Sequence, residues 1–250
     1  MSGHSKWSQI KRQKGANDAK RGAVFTKIGR EISIAARAGG GDPDANYRLR
    51  LAMETARAAN MPAENIKRAV EKAAGGDKAE QYEEIVYEGY GPGGVAILVE
   101  TATDNRNRTA AEVRSIFAKS GGQLAGAGAV AWQFEPRGVI SVPRDGQEPD
   151  DVALAAIDAG AEDVDTDSDP LEIVTEPGQL EAVRKALESA GVPVESAELT
   201  MHPKSTVEID GGVVRQNLRL IETLEDLDDV QRVTANFDLP DDILAEAASA

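Results

Sequence analysis

Between residues 18 and 74 apolar positions recur every three or four residues, the spacing of one helical face. Val24, Ile28, Ile32 and Ala35 form a first stripe, with Arg30 and Arg37 on the opposite side. Leu49, Ala52, Met53 and Ala56 form a second, and Ile66, Ala69, Val70 and Ala73 a third. Gly39-Gly40-Gly41 stops the first helix, and Asp42-Pro43 begins the next turn. The second helix runs to about Asn60, Pro62 suits the first turn of the third, and Gly75-Gly76 closes it. Such thin, alanine-rich stripes predict a small, closely packed bundle.

After Asp77 the period changes to that of strands. Glu84–Tyr90 and Val95–Thr103 are β-rich, and Gly91-Pro92-Gly93-Gly94 between them is a hairpin signal. Thr109 and Glu112 form a capping box for a helix carrying Val113, Ile116 and Phe117, which Gly121-Gly122 ends. A strand is expected at Ala129–Phe134. Residues 138–200 then read as strand (138–142), helix (151–159), strand (163–165), strand (171–175), helix (179–190) and strand (194–200). That order is β-α-β-β-α-β, a complete ferredoxin-like unit. A strand at Ser205–Ile209, a helix at Val213–Leu224 and a strand at Val230–Asn236 follow. With the strands and helix of residues 95–134 they supply a second such set, and Asp241–Ala250 reads as a frayed terminal helix. The expected class is α+β: a three-helix module followed by two ferredoxin-like α/β domains, one inserted in the other. The expected domains are residues 1–78, a discontinuous domain of 79–135 and 203–240, and an inserted domain of 136–202.

Charge adds a direction to this outline. Residues 1–72 hold 15 Lys/Arg and 7 Asp/Glu, a net of +8, whereas the remaining residues carry −23 within a total of −15. The first 30 residues hold eight cations, Lys6, Lys11, Arg12, Lys14, Lys20, Arg21, Lys27 and Arg30, against the single acid Asp18. A concentrated basic arm on an acidic chain attracts polyanions, and the contact is confined to the basic module of residues 1–72 and a few loops. Its cations suit phosphate, Trp7 suits stacking on a base or sugar, and Ser2, Gly3, Ser5 and Ser8 suit a start rich in free amides. Lys67, Arg68 and Lys72 lie on the third helix, in the outline of a helix-turn-helix, but its start at Pro62-Ala63-Glu64-Asn65 offers only Asn65 for reading bases. A plain bundle with a solvated basic face is the better reading. Asp104-Asn105-Arg106-Asn107-Arg108-Thr109 sits between a strand and a helix start, where cations oppose the helix dipole. Arg106 and Arg108 there serve either an anion such as an RNA backbone or a local carboxylate.

Other chemistries find little material. The chain has no cysteine and only two histidines, His4 and His202, so disulfides, thiolate catalysis and cysteine or histidine metal sites are not expected. Asp163, Asp165, Asp167 and Asp169 alternate, but a calcium loop started at Asp165 would place Pro170 where glycine is needed, so a solvated acidic turn is expected. Glu225, Asp226, Asp228 and Asp229 read as a helix end and turn. No phosphate-loop pattern with GK[ST] occurs, and no cofactor or small-molecule substrate is implied. No apolar run approaches the ~18–20 residues of a membrane span. The basic start is similar to a mitochondrial transit peptide, but residues 7–12 and 19–38 read as parts of the mature fold, so a cytoplasmic protein without a membrane partner is expected.

Several segments resemble the YebC/PmpR family: MSGHSKW at 1–7, KRG at 20–22, Phe25 with Lys27, Asp42-Pro43, NMP at 60–62, TDNRNRT at 103–109 and DDVQ at 228–231. Where such proteins commonly show a Leu-Gly…Gly-Ser-Val run, this chain has Leu124-Ala125 and Gly128-Ala129-Val130, a change of small residue for small. The resemblance spans nearly the whole chain and implies a three-domain, non-enzymatic cytoplasmic protein. The family is named for probable DNA-binding transcriptional regulators. It also includes a mitochondrial translational activator of a cytochrome oxidase subunit, and bacterial members connected with ribosomes and synthesis through proline-rich stretches. The expected partner is therefore DNA, ribosomal RNA or the ribosome.

Overall fold

The computed structural model describes residues 18–74 and 82–238. Its elements are α1 (Asp18–Gly39), α2 (Tyr47–Ala58), α3 (Ala63–Ala74), β1 (Glu83–Tyr90), β2 (Ala96–Thr103), α4 (Arg106–Lys119), β3 (Gln123–Leu124), β4 (Phe134–Val142), α5 (Pro149–Asp158), β5 (Asp163–Asp165), β6 (Leu171–Thr175), α6 (Leu180–Ser189), β7 (Ser196–Pro203), α7 (Gly211–Glu225) and β8 (Val230–Ala235). The chain divides into two compact units. One holds the described residues of Arg12–Trp132 together with Val207–Phe237, and the other holds Gln133–Thr206. The class is α+β, with two four-stranded antiparallel sheets among the described residues.

In the first unit Ile32, Ala35, Leu49, Ala52, Ala56, Ile66 and Ala73 form the core of the helical module, with Ile28, Met53 and Val70 packed against it. Val24 is exposed, so the first stripe starts one turn later than its spacing predicts. Asn46 joins two helices. Its Oδ1 accepts from Leu49 N at 3.1 Å to cap α2, while Nδ2 donates to Ala35 O (2.7 Å) and Gly40 O (2.9 Å) at the end of α1. Gly40, at φ +87°, takes the left-handed turn that ends α1.

The first sheet runs β3-β1-β2-β8. β2 lies inside it and is buried on both faces, which explains its continuous apolar run from Val95 to Val99. Two expectations change in this unit. Residues 129–133 form no strand, because Ala131–Gln133 is a short 3₁₀ turn and β4 begins at Phe134. Residues 205–209 give only a single bridge, Val207 to Phe237, because Ser205, Thr206 and Glu208 face solvent and bury no strand face. Consequently β1 and β2 come first as a hairpin and α4 returns the chain to β3 beside β1, rather than two β-α-β turns following in sequence.

The second sheet runs β5-β6-β4-β7, the spatial order of a ferredoxin-like fold. Ile140, Val142, Leu171 and Ile173 from its strands and Val152, Ala156, Leu180, Val183 and Leu187 from α5 and α6 are all buried. Asp165 caps the acidic turn after β5, accepting from Asp167 N at 3.0 Å and Ser168 N at 3.2 Å. Among the described residues no helix is long and apolar enough to cross a membrane.

Candidate nucleic-acid interface

The segment from Asp104 to Thr109 is built around the start of α4. The expected capping box at Thr109 and Glu112 does not form: the helix begins four residues earlier than that cap implies, at Arg106, and Asn105 is its cap, accepting from Arg108 N at 3.1 Å. Thr109, thus inside the first turn, faces inward instead. Its hydroxyl lies 2.7 Å from Asp229 Oδ2 and 2.8 Å from Thr103 Oγ1. Thr103 Oγ1 in turn lies 3.1 Å from the same carboxylate oxygen and accepts from Asn105 N at 2.9 Å. Arg108 Nη2 donates to Asp229 Oδ2 at 2.6 Å and to Asp104 Oδ1 at 2.8 Å. Arg106 points outward, 3.6 Å from Glu83 Oε1, and its carbonyl accepts from the Tyr87 hydroxyl at 3.3 Å.

Asp229 receives a second arginine from the helical module. Arg30 Nη1 reaches Asp229 Oδ1 at 2.7 Å, Asp228 O at 2.6 Å and Ala102 O at 3.2 Å, and the guanidinium stands 5.2 Å from the Tyr82 ring centre. One turn earlier Lys27 Nζ donates to Glu225 O. The polar side of α1 therefore does not face solvent along its length. Arg30 is 13% exposed because that side seats on the sheet, whereas Arg37 remains exposed. A third tie is Arg48 on α2, which bonds Glu31 of α1 at 2.9 Å and Glu84 of β1 at 2.5 Å.

Asp229 is only 3% exposed. Burial works to raise its pKa, but the hydrogen bonds from Arg108, Thr109 and Thr103 and the charge of Arg30 outweigh it, so the carboxyl titrates below its ordinary value. Its backbone is fixed too, since Asp229 O accepts from Ala102 N at 2.8 Å. The same partners hold the Arg108 guanidinium above its ordinary range.

A second buried carboxylate, Glu88 on β1, organises the loop after β3. Its Oε1 accepts from Gly128 N at 2.6 Å, and Oε2 accepts from Val130 N at 2.7 Å and Ala131 N at 2.8 Å. Burial opposes ionisation, but the three amides lower the pKa on balance. A carboxyl depressed in the folded state stabilises the fold above its unfolded value of about 4.3 and loses that contribution as pH falls through the lower, folded value. Glu88→Gln is therefore expected to cost about 2 kcal/mol at pH 7, because one amide loses its acceptor in a buried site. The difference from wild type shrinks below pH 4; urea unfolding at pH 7 and pH 3.5 measures both.

Residues 5–76 match the TACO1/YebC protein N-terminal domain, and residues 82–237 match the TACO1/YebC second and third domain. The chain belongs to the TACO1/YebC family. A relative from Rubrobacter xylanophilus, named a probable transcriptional regulatory protein, is 55% identical over 249 residues, covering 99% of this chain and all of its own. One from Moorella thermoacetica with the same name is 57% identical over 243 residues, 96% of each chain. The crystal structure of a conserved hypothetical protein from Aquifex aeolicus superposes with a TM-score of 0.83 at 49% identity, covering 89% of this chain and 92% of that one.

Within this TACO1/YebC chain the residues expected at the interface fall into three groups. Lys6, Trp7, Lys11, Arg12 and Lys14, and the side chains of Lys20 and Arg21, lie outside the described residues. Lys27 and Arg30 are brought together on the sheet-facing side of α1, with Arg108 joined to Arg30 through Asp229. Arg106 stands apart on the surface. The central residue, Asp229, is missing from the sequence-based set of interface residues, although it falls in the acidic turn and in the DDVQ segment at 228–231 that carries the family resemblance. The sequence carried one general signal: a cation in the first turn of a helix, such as Arg108, opposes the dipole and favours a nearby carboxylate.

Proposed function

We propose that this chain is a non-enzymatic, nucleic-acid-binding regulatory factor of the cytoplasm, and that it acts on DNA as a transcriptional regulator. The segregation of charge carries the reading: +8 on residues 1–72 against −23 on the rest, so a polyanion meets one region of the chain. Arg57, Lys67 and Arg68 are exposed on α2 and α3 and extend the basic surface beyond the arm. The names of the relatives support regulation at transcription. Phosphate contact falls to Lys6, Lys11, Arg12, Lys14, Lys20, Arg21, Arg106 and Arg108, with Trp7 stacking. Lys27 and Arg30 act behind them, holding the module on the sheet.

One observation favours a second reading, a ribosome-associated translation factor that binds ribosomal RNA and eases synthesis through proline-rich stretches. The first turn of α3 is Ala63-Glu64-Asn65, and an acid at that place does not suit a helix that reads base edges in the major groove. Phosphate-led contact suits irregular RNA. Fluorescence anisotropy with duplex DNA and with ribosomal RNA fragments, each across a salt series, separates the two. The DNA reading expects tighter binding to duplex, with log K falling linearly in log salt by about 0.9 per phosphate contact. Preference for the RNA, together with co-sedimentation with ribosomes, selects the second reading, and no binding to either at low salt rejects both.

A further inference from the structure

We propose that Asp229 is a positioning residue for the nucleic-acid interface, and that it sets Arg108 to meet a phosphate. The inference rests on the nucleic-acid reading above and assigns the carboxylate a task within it. Both Nη2 hydrogens of Arg108 are spent inward, one on Asp229 at 2.6 Å and one on Asp104 at 2.8 Å. Among the described residues Nε and Nη1 of Arg108 take no bond, and the side chain is 42% exposed. The guanidinium is thus anchored by one corner and offers the opposite corner to an outside oxygen.

The anchor is rigid because Asp229 is held from every side. Oδ1 is on Arg30, Oδ2 is on Thr103 and Thr109 as well as Arg108, and its carbonyl is on Ala102 N. Position matters here because Arg108 sits in the first turn of α4, where the helix dipole repels a cation. Released from Asp229, the side chain keeps only the exposed Asp104 and is less ordered, so a phosphate must then bear more of the ordering entropy. Through Arg30 the same carboxylate ties Arg108 to α1.

Positioning and simple charge predict opposite signs. Removing a carboxylate from beside two arginines raises polyanion affinity if charge alone decides. If Asp229 positions Arg108, Asp229→Asn weakens binding about tenfold at low salt, the worth of one charge-assisted hydrogen bond, and the salt slope falls by about one phosphate contact. Arg108→Ala shows the same loss, and the double variant Asp229→Asn with Arg108→Ala is no weaker than Arg108→Ala alone. Arg108→Lys, a surface change that keeps the charge and the fold, loses as much as Arg108→Ala, because an ammonium lacks the planar fork that uses one corner inward and one outward. Binding by Asp229→Asn equal to or tighter than wild type, full additivity in the double variant, or retained affinity in Arg108→Lys each overturns the proposal.

A readout without nucleic acid separates this inference from the reading it rests on. In ¹⁵N spectra of the full chain the Arg108 guanidinium should show restricted rotation about its Cζ–Nη2 bond, lost in Asp229→Asn while thermal unfolding stays cooperative. If wild type binds neither DNA nor RNA but this restriction is present and depends on Asp229, the function reading fails and the positioning stands. If Arg108 rotates freely in wild type, the positioning fails whatever the chain binds.

Discussion

Asp229→Ala is expected to lower the unfolding free energy by about 3–5 kcal/mol at neutral pH, the range for removing one partner of a buried ion pair. The cause is what remains. Arg30 keeps its charge in a site only 13% exposed, and its Nε already lacks a partner there. Thr103 and Thr109 lose the acceptor that both hydroxyls approach. Arg30→Met should cost less, because its stem still packs and Asp229 keeps Arg108 and two hydroxyls. The pH profile carries a sign as well. The folded carboxyl titrates below its ordinary value, so its contribution is present above an unfolded value of about 3.9 and lost as pH falls through the folded one. Guanidinium unfolding at pH 7 and pH 3 should show the gap between wild type and Asp229→Ala closing at the acid end. An unchanged gap would mean that the carboxylate is not the stabilising group.

The second large effect is expected at Phe117, fully buried on the inner face of α4. The ring fills space that two glycines leave open. A Cβ on Gly89 would come within 2.6 Å of Phe117 Cε1 and 2.9 Å of Gln123 O, and one on Gly122 within 2.7 Å of Tyr90 O. Through this ring α4 packs on β1 at a point where the strand itself carries no side chain. Phe117→Ala should cost about 3–5 kcal/mol through the cavity it opens. Gly89→Ala should cost about 1–3 kcal/mol through overpacking, since backbone on one side and a ring on the other leave nowhere to shift. The two sites are coupled: Gly89→Ala should be less damaging with Phe117→Leu than alone. Strict additivity of the two costs, measured by chemical denaturation, would contradict the contact.

The sequence was most readable where one period runs unbroken. The stripes of α2 and α3, the β-rich run of β1 and the β-α-β-β-α-β order of the second unit gave elements within a few residues of those formed. It misled where a polar residue has two local uses. Thr109 reads as a cap because serine and threonine commonly cap helices, yet Asn105 takes that place and Thr109 turns inward to Asp229. Arg30 reads as a solvent cation because it lies off the apolar stripe, but α1 has a second buried side, lined with charge rather than hydrocarbon. Hydrophobic periodicity cannot reveal such a side. Nor can it reveal Asp229 and Glu88, whose roles depend on partners distant in the chain.

The pairing of β2 with β8 also sets a timetable. Val99 pairs with Val233, so the first sheet cannot close on that side until nearly the whole chain has been synthesised. The second unit lies between them in the chain, and its entering strand already pairs with its leaving strand, Phe134 opposite Pro203. Emerging from the ribosome in order, the second unit completes its sheet while the first still waits with the edge of β2, rich in Ile97 and Val99, uncovered. The part of the chain begun first is therefore finished last, and in that interval one defined strand edge, with its backbone N–H and C=O groups, stands unpaired.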